Sequence, residues 1–306
     1  MRLASRSRRT TVLLGALSAV ALVLSACGGS TTSASPKAAP PSVKSVASLA
    51  ALVPAELRAR GTIIVGTDAT YAPMEFMDTD GKTIIGMEPD LGVAIGNVLG
   101  LKIKHVNGTF DTLIPGLSSG KYDIAMSSMN DTKAREEKLD FVTLWQAGSS
   151  FVTTATGGPG VKSLNDLCGL KVAVLSGSVQ QGDVVKQTAV CAAAGSAKPV
   201  TSVFSDQVKT FLALSSGRVQ VVVAGGVGNV YAVGKSQGKF IISGPSYDEV
   251  KTGIAVPKGS SMTKAVQGAV NELIANGEYA KILAKWGGTG LKISTSEINV
   301  ATSQGS

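Results

Sequence analysis

Nucleophile-and-base chemistry has little to work with in this chain, which holds one histidine, His105, and three cysteines among 306 residues. A Ser/His/Asp machine would depend on His105 alone, and a multi-histidine zinc site is excluded. No nucleophile elbow and no metal-ligand spacing occurs in the sequence. Binding chemistry is better supplied. Polar or small residues follow short apolar runs at Thr67 to Tyr71, Ser127 to Asn130, Ser176 to Gln180 and Ala224 to Gly226. Arg135 offers paired guanidinium donors that match a carboxylate, unless it is a surface arginine of the charged stretch Lys133 to Lys138. Ser178 and Gln180 follow Gly177 at a strand-to-helix turn, where backbone N–H groups favour a polar or anionic ligand group or simply cap the helix.

The elements that must position these residues alternate between strand and helix, the signature of parallel-rich open α/β sheets. In such sheets ligands gather beyond the carboxyl ends of the strands, which is where the four polar runs fall. The pattern also repeats. Leu117-Ser118-Ser119-Gly120-Lys121-Tyr122-Asp123-Ile124-Ala125-Met126 returns as Leu214-Ser215-Ser216-Gly217-Arg218-Val219-Gln220-Val221-Val222-Val223, each copy a helix end, a glycine cap and a buried strand. Ile63-Ile64-Val65-Gly66 is echoed by Val172-Ala173-Val174-Leu175, so two similar α/β lobes are expected. Pro89 is expected to open a helix that Gly100 closes, and Ser261 to precede an amphipathic helix from Met262 ended by Gly277. Tyr279, Ile282, Leu283 and Trp286 form a further apolar face.

Composition narrows the class. Hydrophobic residues make up 44% and charged residues 16%, which suits a globular chain with a sizeable core. Arg2, Arg6, Arg8 and Arg9 carry half of the net charge of +8, and the rest of the chain has no basic run and few aromatics, which argues against nucleic-acid binding. Those arginines precede an apolar run from Val12 to Leu24, too short to span a bilayer and typical of a signal peptide, assigned to residues 1–26. Leu24-Ser25-Ala26-Cys27-Gly28 resembles the bacterial lipobox, which makes Cys27 the expected lipid attachment site unless the signal is an ordinary one cleaved nearby. A Gly/Ser/Thr/Pro-rich flexible tether is expected over residues 27–50. In an exported chain Cys168 and Cys191 are expected to pair, two free buried thiols being the alternative.

Four motifs occur in a familiar order: Gly66-Thr67-Asp68-Ala69-Thr70-Tyr71-Ala72-Pro73, Gly86-Met87-Glu88-Pro89-Asp90-Leu91, Phe110-Asp111-Thr112-Leu113-Ile114-Pro115-Gly116-Leu117 and Thr132-Lys133-Ala134-Arg135. Over about residues 55–290 the chain resembles the solute-binding proteins of polar amino-acid ABC importers, close to the lysine/arginine/ornithine- and histidine-binding type. The resemblance implies an α/β, two-lobed, periplasmic-binding-protein-like (type II) fold, with two open mixed sheets flanked by helices and joined by two crossing strands. It implies a first lobe of residues 52–153 and 249–306 and a second of 154–248.

By the same resemblance, Arg135 holds the ligand's carboxylate, helped by Ser127, Ser128 and Asn130. Asp68 and Tyr71 match the acid and aromatic that receive a distal ammonium and its alkyl stem, although Asp68 could instead be a turn residue bonding its own backbone. Phe110 matches a cleft wall, with ordinary core as the alternative, and Ser178 with Gln180 closes from the second lobe. One position departs: relatives carry there an aspartate that pairs with the ligand's α-ammonium, and this chain has Gly225. Glu88, Asn130 or Asn229 could supply another acceptor, the ligand could lack a free α-amine, or glycine could leave room for a bulkier one.

The expectation is therefore a monomeric, lipid-anchored, extracytoplasmic solute-binding protein that hands a small amino-acid-like carboxylate, in one form cationic, to an ABC permease, with no cofactor. Two rivals are a tethered ligand sensor and a dehydratase-like enzyme on the same fold, the latter using Asp68 or Glu88 as its acid.

Overall fold

The structure, a computed structural model, describes residues 43–301. The expected signal segment 1–26, the expected lipid attachment site Cys27 and the expected tether up to residue 42 lie outside the described residues. In chain order the first half comprises α1 (Ala47–Ala50), α2 (Ala55–Arg60), β1 (Thr62–Thr67), β2 (Thr70–Tyr71), β3 (Glu75–Met77), β4 (Ile84–Ile85), α3 (Met87–Leu99), β5 (Lys102–Asn107), α4 (Phe110–Ser118), β6 (Ile124–Asn130) and α5 (Lys133–Glu136). The long strand β7 (Leu139–Thr154) leads to the second half: β8 (Lys171–Leu175), α6 (Val179–Ala193), β9 (Val200–Phe204), α7 (Gln207–Ser215), β10 (Val221–Gly225) and α8 (Gly226–Lys235). A second long strand, β11 (Phe240–Pro257), returns to α9 (Met262–Ala275) and α10 (Glu278–Lys285), which pack against α3.

The main sheet runs β5-β1-β6-β11-β7-β10-β8-β9, an order that nearly mirrors itself. On one side β1 lies parallel between β5 and β6, with β11 antiparallel to β6; on the other β8 lies parallel between β9 and β10, with β7 antiparallel to β10. The repeated motif explains this symmetry: Gly120 and Gly217, at φ 74° and 71°, end α4 and α7 and turn the chain into β6 and β10. The two open sheets expected from the sequence are hydrogen-bonded into one eight-stranded ladder. β7 and β11 have 16 and 18 residues, or roughly 50 Å of extended chain, enough to serve both sides, and pair with each other from Phe240↔Thr154 to Pro257↔Leu139. Their register shifts between Ser243 and Gly253, where the two halves meet.

Apolar clusters lie on both faces of each half. Ile63, Val65, Leu91, Ile95, Trp145 and Leu283 belong to one cluster of the first half, and Leu113, Tyr122 and Phe141 to the other. Val172, Val174 and Val184, then Ala213, Leu214 and Val222, form the corresponding pair in the second half. α3 starts at Met87 rather than at Pro89; a proline is accommodated there because first-turn N–H groups have no intrahelical partner. Gly277 caps α10 as well as following α9. The expected tether ends earlier than residue 50, because Val43, Val46 and Leu49 pack against the first-half core and the Val46 N–H donates to the Val98 carbonyl at 2.8 Å. Cys168 and Cys191 form a disulfide, Cα to Cα 5.6 Å, tying the turn after Leu167 to α6. Among the described residues no helix is long and apolar enough to cross a membrane.

Candidate ligand-binding cleft

Four strands deliver their carboxyl ends to one small cavity between the halves, the parallel pair β1 and β6 from the first half and, running the opposite way, the parallel pair β8 and β10 from the second. Asp68 follows β1, Ser127, Ser128 and Asn130 end β6, and Gly225 ends β10; the turn from β8 into α6 adds Leu175, Ser178, Val179 and Gln180. Phe110, the first residue of α4, Gln207, the first of α7, and Tyr71 of β2 complete the wall around about 50 Å³. Eight of the nine ligand residues expected from the sequence line this space: Asp68, Tyr71, Phe110, Ser127, Ser128, Asn130, Ser178 and Gln180.

Arg135 stands one layer behind. Its guanidinium lies 5.7 Å from the centre of the Phe110 ring and donates to the backbone carbonyls of Asn130 at 2.8 Å and Gly177 at 3.1 Å. The bond to Gly177 ties the two halves together, and burial pushes the guanidinium down to about 10. Three of its five N–H donors are not engaged by these two bonds.

Other residues also differ in detail from expectation. The Ser178 hydroxyl caps α6, accepting from the Gln181 N–H at 3.1 Å and donating to the Leu175 carbonyl at 2.7 Å. Gln180 turns its amide onto Ser149 Oγ of β7 at 2.7 Å. The room left by Gly225 is taken by Tyr71, whose hydroxyl donates to the Gly225 carbonyl at 2.9 Å and accepts from the Gly228 N–H at 3.3 Å. A Cβ on Gly225 would overlap the Tyr71 hydroxyl, and one on Gly228 would overlap its ring. Asn229 is turned away into the fold, its amide nitrogen donating to Ser150 and to the Ala224 carbonyl.

Further bonds hold the halves closed. The Gln207 N–H donates to Thr70 Oγ1 at 3.1 Å, and Ser176 Oγ donates to Asp111 Oδ2 at 2.9 Å.

Acids dominate the first-half wall. The Asp68 carboxylate accepts from Thr70 Oγ1 at 2.8 Å and from the Phe110 N–H at 3.2 Å, so it makes the local turn bond and also reaches α4. Its N–H donates to Ser127 Oγ at 3.0 Å, and that hydroxyl donates to Glu75 Oε1 at 2.9 Å. Glu88, wholly buried at the start of α3, accepts the Ser128 N–H at 2.6 Å and its hydroxyl at 2.9 Å, bracing Ser128 at a left-handed φ of 47°. Burial lifts Asp68 to about 6 and Glu88 to about 7; it lifts Glu75 well above the carboxylate range, where the nearby charges of Glu88 and Asp68 add to it. Glu75 was not singled out from the sequence. It sits on a short strand in an apolar stretch, Met74-Glu75-Phe76-Met77, with no partner at a recognisable spacing.

A two-half α/β sheet with its cleft at the strand ends, closed by bonds from both sides, is the architecture of a solute-binding protein. The pattern defining the bacterial extracellular solute-binding proteins, family 3, matches residues 63–289, and the chain belongs to that family. It is 32% identical over 244 residues to the arginine-binding protein ArgT of Corynebacterium glutamicum, covering 79% of each chain. Among solved structures it is similar to an ancestral arginine-binding protein bound to arginine, at 35% identity and TM-score 0.69 over 74% of this chain and 98% of that one. It is also similar to an ancestral amino acid-binding protein that is a precursor of cyclohexadienyl dehydratase, at 29% identity and TM-score 0.68 over 76% and 97% of the two chains.

Proposed function

We propose that this protein captures a small amino-acid-like solute bearing a carboxylate and a cationic side chain, outside the cytoplasmic membrane, and passes it to an ABC permease. Cys27 would anchor it by lipid, with residues 52–153 and 249–306 as one lobe and 154–248 as the other. The observation that carries this function is the closed cavity, whose charged lining residues, Asp68 and Glu75, are both acids. The arginine-binding relatives agree in ligand class. Arg135 is assigned the carboxylate through its remaining donors, Tyr71 and Phe110 pack the alkyl stem, and Ser127, Ser128 and Asn130 line the carboxylate's side.

Thermal unfolding of the purified protein against amino acids, amines and other carboxylates tests this. A ligand at about 100 times its dissociation constant stabilises by roughly 2.7 kcal/mol. Arginine, lysine or ornithine should raise the midpoint and Arg135→Ala should abolish the shift; silence from every cationic amino acid refutes the ligand class.

An enzyme reading has one observation in its favour: Asp68 and Glu88 titrate near neutrality beside a closed cavity, as a general acid would. Release of water from a carboxylate substrate by the purified protein would support it.

A further inference from the structure

A second cavity lies outside the cleft, in the groove between α7 and α8 of the second half, and encloses about 380 Å³. Val208, Phe211 and Leu212 of α7 form one wall, and Tyr231 and Lys235 of α8 the other. Val208 and Leu212, four residues apart on one helix face, are 52% and 59% exposed. Phe240, the first residue of β11, joins them, its ring centre 6.1 Å from that of Phe211. A concave, mostly apolar and aromatic volume of this size is the usual form of a small-molecule site.

The charge around the groove has one sign. Lys235 and Lys239 line it and no acid does, and among the described residues neither lysine makes an ion pair. The Tyr231 ring holds Lys235 in place, with Nζ 5.6 Å from the ring centre. Apolar walls beside two unpaired ammonium groups suit an apolar molecule with a negative end.

The inner end of the groove belongs to the other half. Thr70, Tyr71 and Ala72 close it, and there the Gln207 N–H of α7 meets Thr70 Oγ1. Tyr71 and Gln207 line the ligand cavity as well. The groove is thus complete only while the halves are together, and an occupant that touches both favours the closed form.

We propose that the groove between α7 and α8 is a second binding site, for a small carboxylate with an aromatic or branched apolar body, and that its occupancy tightens the cleft. The apolar body lies against Phe211, Leu212 and Phe240, and the carboxylate meets Lys235 and Lys239. The site does not depend on what the cleft binds; its coupling to the cleft rests on the proposed capture of an amino-acid-like solute.

Calorimetric titration tests it with indole-3-acetate, 3-phenylpropionate and 4-methylpentanoate, each against its primary amide. The protein is titrated alone and saturated with the best ligand of the thermal screen. At least one carboxylate should bind at one per chain, about threefold or more tighter than its amide. Leu212→Asp, which sets a like charge on the apolar wall, should weaken it at least about tenfold, and Lys235→Gln combined with Lys239→Gln about threefold or more. An unchanged unliganded melting midpoint shows that these variants are folded; should Leu212→Asp lower it, the lysine pair, altered only at exposed side chains, decides. The carboxylate should bind about twofold or more tighter to the liganded protein and raise the affinity of the cleft ligand by the same factor. Silence from all three carboxylates overturns the proposal, as does binding that the groove variants leave unchanged. Displacement of the carboxylate by the cleft ligand places it in the cleft and also overturns the proposal, and equal affinity with and without cleft ligand overturns the coupling and with it the proposal. Should the screen yield no cleft ligand, that failure belongs to the proposed function, and the groove is judged on the response of carboxylate binding to the groove variants.

Discussion

Tyr71 is the residue on which the two halves of the site agree. It leaves the first half on β2, crosses the cleft, and ends between Gly225 and Gly228 with its hydroxyl bonded to both backbones. A Cβ at either position would overlap Tyr71, so a side chain at 225 or 228 would have to displace it from its place between them. Gly225→Ala should therefore oppose closure and weaken the best ligand of the thermal screen by at least about tenfold, and Tyr71→Phe in that background should recover part of the loss, since the hydroxyl is what the methyl meets. Titration calorimetry on the single and double variants reads this directly; an unchanged affinity in Gly225→Ala would remove Tyr71 from the closing mechanism. Position 225 stood out in the sequence, but its meaning did not, because the side chain that fills the space lies more than 150 residues away. Asp68, Phe110 and the Ser127 to Asn130 run were legible for the opposite reason: each is placed by the end of its own strand or the start of its own helix.

At the scale of elements, the repeat was the most legible feature, since a helix end, a glycine at positive φ and a buried strand are all local events. The continuous sheet was not legible, because it depends on how far β7 and β11 extend, and only pairing across the whole molecule sets that. The start of the folded body was misjudged for a related reason: Val43, Val46 and Leu49 look like the end of a small-residue tether until α3 and α9 offer them a surface. The disulfide makes a separate prediction. It closes a loop with a sequence separation of 23 on the second half only. Replacing both cysteines by serine should lower stability by roughly 3 kcal/mol in the chain-entropy account. Denaturant unfolding would measure it, with ligand affinity changed little because the bridge lies away from the cavity lining.

At the scale of the whole molecule, acids held protonated in the fold set the pH dependence. Asp68 and Asp131 are raised from 3.8 to about 6, Glu88 from 4.5 to about 7, and Glu75 in the same direction, all led by burial. The folded protein thus holds more protons than the unfolded chain across this window, and stability falls as pH climbs from about 4.5 to about 7. His105 opposes them, since burial drops it from 6.5 to about 4 and the unfolded chain gains its proton first. Several acids outweigh one histidine, so the unliganded midpoint should rise on acidification from pH 7.5 to pH 5. A cationic ligand favours the ionised acids, so its stabilising shift should instead grow as pH rises. Thermal melts with and without ligand across that range check both signs; a ligand shift that shrinks with rising pH would contradict an ionised cleft.

The long strand β11 also has a consequence for the order in which the molecule is made. The first half begins near residue 43, yet its sheet is completed by β11 and its outer layer by α9 and α10, all from the last quarter of the chain. The second half is synthesised in between as one uninterrupted stretch. The part begun first is thus finished last, and a chain stopped just before β11 would carry every residue that lines the ligand cavity without the strand that aligns the two walls.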